Sequence, residues 1–511
     1  MSKKSKVSFK PYSPDQLSLL PPSLSELITE NHPVRVVSEV IDRIDLEDLL
    51  VNYQTSGAST YHPKLMLKVL IYGYLSNVYS SRKMEAACKE NIHFMWLTGM
   101  ARPDHNTINR FRSERLKGVL KKVFAQVVML LVDSGHIDLQ QVYTDGTKIE
   151  ANANKYTFVW GKAIARNKLR IKTQLEQLWN YTQTVAKEEL KNTQPCDFDQ
   201  LDPKAVDKTI DAINQALKKK TTADKKIKQK ANYAKRNWPD NLRKYEQQEQ
   251  TLGTRNSYSK TDPEATFMRM KDDHMQNGQL KPGYNLQIST QDQFILHYSL
   301  HQNPTDTTTL IPHLEEFKNN YQTLPKEITA DAGYGSQENY QYLEDNEVGA
   351  FVKYNYFHLE QRKKPNYRTA FQPQNLHYNN ELDCYYCPMG QQMRFIGTKK
   401  QISQAGYEKV VHRYQAKNCS GCPLRALCHK SKTNRIIEVN HTLNRLKSIA
   451  KEKLNSPRGK LHRSKRPVDV EAVFGNLKQN KGFKRYMLRG IEKVSIETGL
   501  LAIAMNLKKI A

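Results

Sequence analysis

Three carboxylates, Asp145, Asp331 and Glu471, stand where converging acids could do metal-dependent chemistry. Two Mg²⁺ ions about 3.5–4 Å apart activate a nucleophile and stabilise a leaving oxygen in phosphodiester chemistry. Mg²⁺ is a hard ion, held by a few carboxylates and by substrate oxygens. Such a site needs two or three acids arriving from different, rigid elements. Asp145 and Asp331 each follow a short apolar run that reads as a strand, and each is followed by small residues. The third acid should come from a helix, and Glu471 in Arg466-Pro-Val-Asp-Val-Glu-Ala-Val-Phe-Gly475 fits. Pro467 suits a first helical turn. Lys478 follows Glu471 by two helical turns, on the same face, where an ammonium can reach phosphate. Asp306 competes for a carboxylate role, although its position favours capping a helix N-terminus.

A second constellation is sulfur. Five of the seven cysteines fall between Cys384 and Cys428. Cys384-x2-Cys387 and Cys419-x2-Cys422 present thiolate pairs on tight turns, and four thiolates suit tetrahedral Zn²⁺. Cys428 is a possible substitute for one of them. An iron–sulfur cluster and free core cysteines are the alternatives. Cys88 and Cys196 stand alone and read as structural. The loop between the pairs is polar, which predicts a segment that depends on metal for its order.

The elements that must position these groups follow from periodicity. Residues 1–135 read as helical: one helix from Pro63, one after Ser80, one over His93–Leu97, and a long one capped by Asp104 or Thr107 and running through Phe124. Gln140–Thr144 reads as a strand ending at Asp145-Gly146. A polar helical insertion, 163–260, carries eleven Lys/Arg against two Asp between Lys218 and Lys244. A solvated face and a DNA-backbone role fit that run equally. Strands return at Tyr284–Ser289 and Phe294–Leu300, then a helix from Thr307, strand Glu327–Ala330, helix Gln337–Asn346 and strand Ala350–Tyr354. The cysteine-rich insertion spans 355–440, and the tail from Pro467 is helical. With both insertions removed, the order is that of a mixed α/β sheet flanked by helices. The expected division is a helical domain, 1–135, and a catalytic domain, 136–511.

With 79 Lys+Arg against 52 Asp+Glu, the 511-residue chain carries a net +27. That excess points to a polyanion, with nucleic acid ahead of a membrane surface. No apolar run approaches a membrane span. The basic start, Met1–Lys6, has no apolar core behind it, so a cytoplasmic protein without a signal peptide is expected. Helices around 81–112 could form a helix-turn-helix whose last member offers Asn106, Asn109, Arg110 and Arg112 to bases or phosphates. A helical bundle with a polar face is the other reading.

The surrounding words carry a resemblance. They include His32-Pro-Val-Arg35, Tyr72-Gly-Tyr74, Ser80-Ser-Arg-Lys83, Pro103–Arg112, Thr144–Asn154, Tyr258–Lys271, Gly283–Gln287, Ala330-Asp-Ala-Gly-Tyr-Gly335, Cys422-Pro-Leu-Arg425 and Val470–Gly475. In this order they resemble the DDE transposases of bacterial insertion sequences. While the zinc-ribbon-like insertion rests on the cysteine spacing, the resemblance implies an RNase H-like core and an Asp–Asp–Glu triad at Asp145, Asp331 and Glu471 that binds two Mg²⁺, with Mn²⁺ as substitute. It also implies terminal-repeat recognition by the N-terminal half, strand cleavage and strand transfer at the ends of the protein's own element, and a homodimer in the synaptic complex, nucleoid-associated in the cytoplasm. A catalytically silent, zinc-stabilised DNA-binding regulator and an RNase H-like nuclease are the alternatives. Related enzymes carry Tyr-x2-Arg-x3-Glu-x6-Lys. Here Glu471-x6-Lys478 holds, but Arg466 lies five residues before the Glu and no Tyr precedes it at the matching place. That leaves open the role of Arg466, the candidate DNA-contacting arginine beside Lys478.

Overall fold

The computed structural model describes residues 23–51, 60–191, 193–270, 278–361, 371–403 and 406–511. Met1–Lys6 and Lys271 lie outside the described residues. The chain divides into two compact units, Met1–Val123 with Leu500–Ala511, and Phe124–Gly499. Among the described residues no helix is long and apolar enough to cross a membrane.

In the first unit, helices Pro33–Arg43 and Pro63–Leu75 start the same way. A proline fixes φ in the first turn, and the preceding histidine (His32 or His62) accepts the next free backbone N–H on its ring Nδ1. Pro63–Leu75 is buried nearly all round through Met66, Leu67, Val69, Leu70, Ile71 and Tyr74, as a central helix must be. Arg35 donates to the carbonyls of Ser25, Ile28 and Thr29 and so ties down the turn before the first helix. Ser81–Glu90 and Ile92–Thr98 follow, the latter closing on Gly99 in the left-handed region at φ 55°. Asp104 then caps His105–Arg110 through the N–H groups of Asn106 and Thr107. The expected long helix through Phe124 is interrupted. A π-turn, Phe111–Arg115, and a bend at Gly118 (φ 68°) separate it from the next helix, Leu120–Asp133.

The second unit is built on a mixed sheet. Its strands are β1 (Gln141–Glu150), β4 (Thr266–Arg269), β5 (Leu280–Gln291), β6 (Phe294–His301), β7 (Glu327–Ala330) and β8 (Gly349–Val352), while β2 (Phe158–Trp160) and β3 (Ser257–Ser259) form a separate pair. The order is β4-β5-β1-β7-β8, with β6 also on β5. β6, β5 and β1 are antiparallel neighbours, and β7 and β8 run parallel to β1. This mixed α/β arrangement is compatible with an RNase H-like core. A buried ladder joins the antiparallel strands. Thr144 Oγ1 bonds Ser289 Oγ, Ser289 bonds His313 Nε2, and His313 Nδ1 bonds Ser299 Oγ.

Between β2 and β3 three helices, Gly161–Val185, Pro203–Lys218 and Lys225–Leu252, share their own core of Leu175, Trp179, Ile210, Ile213, Trp238 and Leu242. The cysteine-rich segment also has a core, which its polar sequence did not lead one to expect. Its strands are β9 (His377–Asn379), β10 (Cys384–Tyr386), β11 (Gln392–Ile402), β12 (Glu408–Ala416) and β13 (Ile436–Val439), and they form a five-stranded antiparallel sheet. Tyr385, Met393, Tyr414, Cys419, Ile437 and Val439 pack together on it.

Candidate active site

Asp145 does not end a strand. It sits in the middle of the ten-residue β1, opposite Ile288 of β5. Asp-Gly reads locally as a turn, but here Gly146 leaves room for the Gln287 and Asp306 side-chain ends. A Cβ at Gly146 would lie 2.5 Å from Gln287 Nε2 and 2.6 Å from Asp306 Oδ1. Asp331 does follow the end of a strand, as expected. The parallel register Gln141↔Glu327 through Thr144↔Ala330, carried one residue further, sets Asp145 beside Asp331. Gly335 keeps the turn after Asp331 tight against the chain beyond β8, because a Cβ there would lie 2.5 Å from the Lys353 carbonyl oxygen.

Glu471 arrives on a helical stretch that begins at Pro457, so Pro467 lies within the helix rather than at its start. A proline there removes one backbone donor and crowds the preceding turn. The chain answers with a π-turn over Pro467–Glu471. A π-turn holds one residue more than an α-turn. It therefore brings two residues five apart onto one face: Arg466 Nη1 donates to Glu471 Oε1 at 2.7 Å. The irregular spacing of Arg466 and Glu471 has its physical account here. The stretch is pinned to the sheet by Asp469, which accepts from Thr290 Oγ1 (2.6 Å) and the Gln293 N–H (3.1 Å). It is also pinned by His462, which bonds Tyr143 Oη (3.0 Å) and Glu327 (3.1 Å). Burial holds the His462 ring below its ordinary pKa.

The three acids share one cation. Arg466, only 5% exposed, places Nη2 3.1 Å from Asp145 Oδ2 and 4.0 Å from Asp331 Oδ2, besides its bond to Glu471. Asp145 is nearly buried, with 10% of its side chain exposed, while Asp331 and Glu471 are half exposed. Burial pushes the Asp331 carboxyl up, but Arg466, the Ala332 N–H and Lys353 (3.6 Å away) outweigh it and hold the group below its ordinary value. Asp145, Asp331, Arg466, Glu471, Lys478 and Thr147 line an open cleft of about 390 Å³. Lys478 is buried along its length. A second π-turn, Asn476–Asn480, carries it, closed by the Lys481 N–H on the Asn476 carbonyl at 2.9 Å.

The donor set is all carboxylate and surrounds one guanidinium, a chemistry that fits a hard divalent ion such as Mg²⁺. As placed, no three His, Cys, Asp or Glu side chains among the described residues form a ready ion cage. Within the acid trio it is the Arg466 guanidinium that occupies the shared point.

Asp306 does not cap a helix. It opens a short 3-10 turn, and its Oδ1 accepts from Asn285 Nδ2 (2.8 Å) and Gln287 Nε2 (3.0 Å) on the far side of Gly146. In the first unit, Asn106, Asn109 and Arg110 are exposed on the helix that Asp104 caps. Arg112 is not. It is 3% exposed and donates to the Tyr79 carbonyl (2.8 Å), Tyr74 Oη and Asn109 Oδ1, so its guanidinium is used inside the unit and is withdrawn as a DNA contact. Lys353, Asp469, His462 and Thr147 were not anticipated. Thr147 alone had a signal, since it lies two residues past Asp145 and shares its face once the strand is allowed to continue.

The cysteines divide unevenly. Cys387, Cys419, Cys422 and Cys428 line one small cavity, whereas Cys384 lies within β10, away from that lining. Cys88 and Cys196 are buried and isolated.

Comparison with known families finds two matches. Residues 386–511 match the family described as Transposase DDE domain, and residues 22–114 match Transposase domain (DUF772). The first match contains Arg466, Glu471 and Lys478, and neither contains Asp145 or Asp331. No curated protein matches the chain.

Proposed function

We propose that this chain, which carries segments of two transposase families and shares the sequence features of the DDE transposases of insertion sequences, catalyses transposition of its own element. The families indicate an enzyme that cleaves or transfers nucleic-acid strands, and transposases act on DNA. The finer reading is Mg²⁺-dependent cleavage of the element ends, followed by transfer of the freed 3′-OH to target DNA. The observation that supports it is the register that sets Asp145 beside Asp331, with Glu471 brought to the same cation from a helix.

On this reading Asp145, Asp331 and Glu471 hold the metal. A bound Mg²⁺ there would supply Lewis-acid polarisation of phosphate oxygens. The chain's own groups do the rest. Lys478, on the cleft wall, takes a non-bridging phosphate oxygen. Arg466 exchanges its carboxylate partners for the DNA backbone, since guanidinium and phosphate pair well in a fork. Near-burial of Asp145 keeps it rigid. Residues 1–135, with exposed Asn106, Asn109 and Arg110, read the terminal repeats, and 136–511 does the chemistry as one half of a homodimer in the cytoplasm.

Asp145→Asn, Asp331→Asn and Glu471→Gln test the proposal on a duplex carrying the element's own end. Each should lose cleavage and joining by at least a hundredfold while duplex binding persists. Near wild-type joining by any one of them removes that residue from the metal site. Cleavage without joining in the wild-type protein points to a nuclease, and binding without cleavage points to a regulator.

A further inference from the structure

The cysteine-rich segment carries five cysteines, and their sequence spacing admits more than one set of four. We infer that Cys387, Cys419, Cys422 and Cys428, and not Cys384, form a structural zinc site. The four line a cavity of about 20 Å³, together with His429 and Arg435. A volume of roughly 10–15 Å³ holds a single water, so this space is the size of one ion.

Strand alternation excludes Cys384. Side chains one residue apart in a strand point to opposite faces. In β10, Tyr385 packs into the cluster that also contains Cys419 and touches Cys387. Cys384, one residue earlier and paired across to Asn379 and Arg394, therefore faces away. The CxxC spacing of Cys384 and Cys387 is an accident of a strand running into a turn.

The other four sit on backbone suited to ligation. Cys387 starts a tight turn closed by the Gly390 N–H on its carbonyl (2.8 Å), with Gly390 at φ 78°. Gly421, at φ 67°, bends the chain between Cys419 and Cys422. Cys428 ends a single helical turn, its N–H bonded to the Leu424 carbonyl at 2.9 Å. Arg435 places donors against two of the sulfurs. Arg435, 6% exposed, donates Nη1 to Cys428 Sγ at 2.9 Å, and its backbone N–H donates to Cys419 Sγ at 3.4 Å. A buried guanidinium offsets the excess negative charge of four thiolates on one Zn²⁺. His429 stands beside them with both ring nitrogens buried and without a hydrogen-bond partner. As placed, the thiols do not yet converge on a point, and rotation about their Cα–Cβ bonds is what ion binding would add. The site is independent of the acidic cleft, so its failure leaves the transposase reading untouched, and the reverse also holds.

Elemental analysis of the full-length protein, purified without added metal, tests the assignment. Wild type and Cys384→Ala should each carry about one zinc per chain. Cys387→Ser, Cys422→Ser and Cys428→Ser should fall to background, and His429→Ala should keep its zinc. If those serine variants fail to fold, cobalt exchanged into the wild type should show thiolate-to-cobalt charge-transfer absorption at one ion per chain. That band should survive Cys384→Ala undiminished. The inference is overturned by a folded wild type that lacks zinc, by iron with visible absorption in its place, or by zinc that survives Cys428→Ser and leaves with Cys384→Ala.

Discussion

Replacing Arg466 by Met keeps the length of the side chain and removes the cation that three carboxylates share. The largest loss is at Asp145, 3.1 Å away and nearly as buried as the arginine. At an effective dielectric near 20, a unit pair at that distance interacts by about 5 kcal/mol. Removing one partner of a buried pair costs about 3–5 kcal/mol overall, because the other charge is left uncompensated. Asp331 and Glu471 are half exposed, so their shares are screened to under about 1 kcal/mol each. The open cleft lets water reach Asp145, which puts the expected loss near the lower end, about 3 kcal/mol. The same removal should raise affinity for a divalent cation, since a positive group no longer competes for the oxygens. Thermal unfolding of wild type and Arg466→Met, followed across a Mg²⁺ titration, reads both effects. The variant should unfold at lower temperature without Mg²⁺ and recover more of the gap as Mg²⁺ rises, in proportion to ligand saturation. Equal melting of the two proteins, with equal Mg²⁺ response, would refute the idea that Arg466 holds the acids together.

Three further expectations follow from the geometry. Arg112→Ala should destabilise the first unit by about 2–3 kcal/mol, since it removes a buried guanidinium with its hydrogen bonds to the Tyr79 carbonyl, Tyr74 and Asn109, whereas exposed Arg110→Ala should leave stability within about 0.5 kcal/mol and weaken DNA binding; urea unfolding beside a binding titration separates them. Duplex binding by a chain of net +27 should fall steeply with salt, and Arg110→Ala should reduce the log–log slope by about one if that side chain meets a phosphate; a flat salt dependence would count against a DNA role for the basic excess. The folded Asp331 carboxyl lies below its ordinary value, so its contribution is complete above the ordinary carboxylate pKa and lost as pH falls through the lowered one. Asp331→Asn should therefore flatten the acid limb of the stability profile, by under about 1 kcal/mol at this exposure, and an unchanged acid limb would show that the carboxylate is not held by its neighbours.

What could be read in advance depended on whether a residue's neighbours were near in sequence. Glu327–Ala330 was legible because a short apolar run, with turn residues on both sides, leaves a strand few alternatives. Asp145-Gly146 was misread as a strand end, because the reason for the glycine lies on β5 and near Asp306, more than a hundred residues away. Asp104 capped as expected, yet the helix it starts breaks at the π-turn and Gly118, which apolar spacing alone cannot show. Arg112 looked like a surface arginine because helical spacing does not reveal Tyr74 and the Tyr79 carbonyl, both more than thirty residues earlier. The polar sequence of the cysteine-rich segment hid a core made of isolated residues from separate strands of its sheet.

The π-turn at Pro467–Glu471 also bears on how this helix can change length over generations. A helix turns about 100° per residue, so a codon gained or lost ordinarily swings every later side chain off its surface. Here the surplus residue before Glu471 is taken up by the widened turn, and Phe474, Gly475, Lys478 and Gln479 line the cleft. Val468 lies in that turn with 64% of its surface in solvent. A chain without it would have Arg and Glu four apart in a plain α-helix, with the same faces presented, which is the spacing of the related signature. Deleting Val468 should therefore keep the Arg–Glu contact, and loss of that contact in the shortened chain would count against this account of the turn.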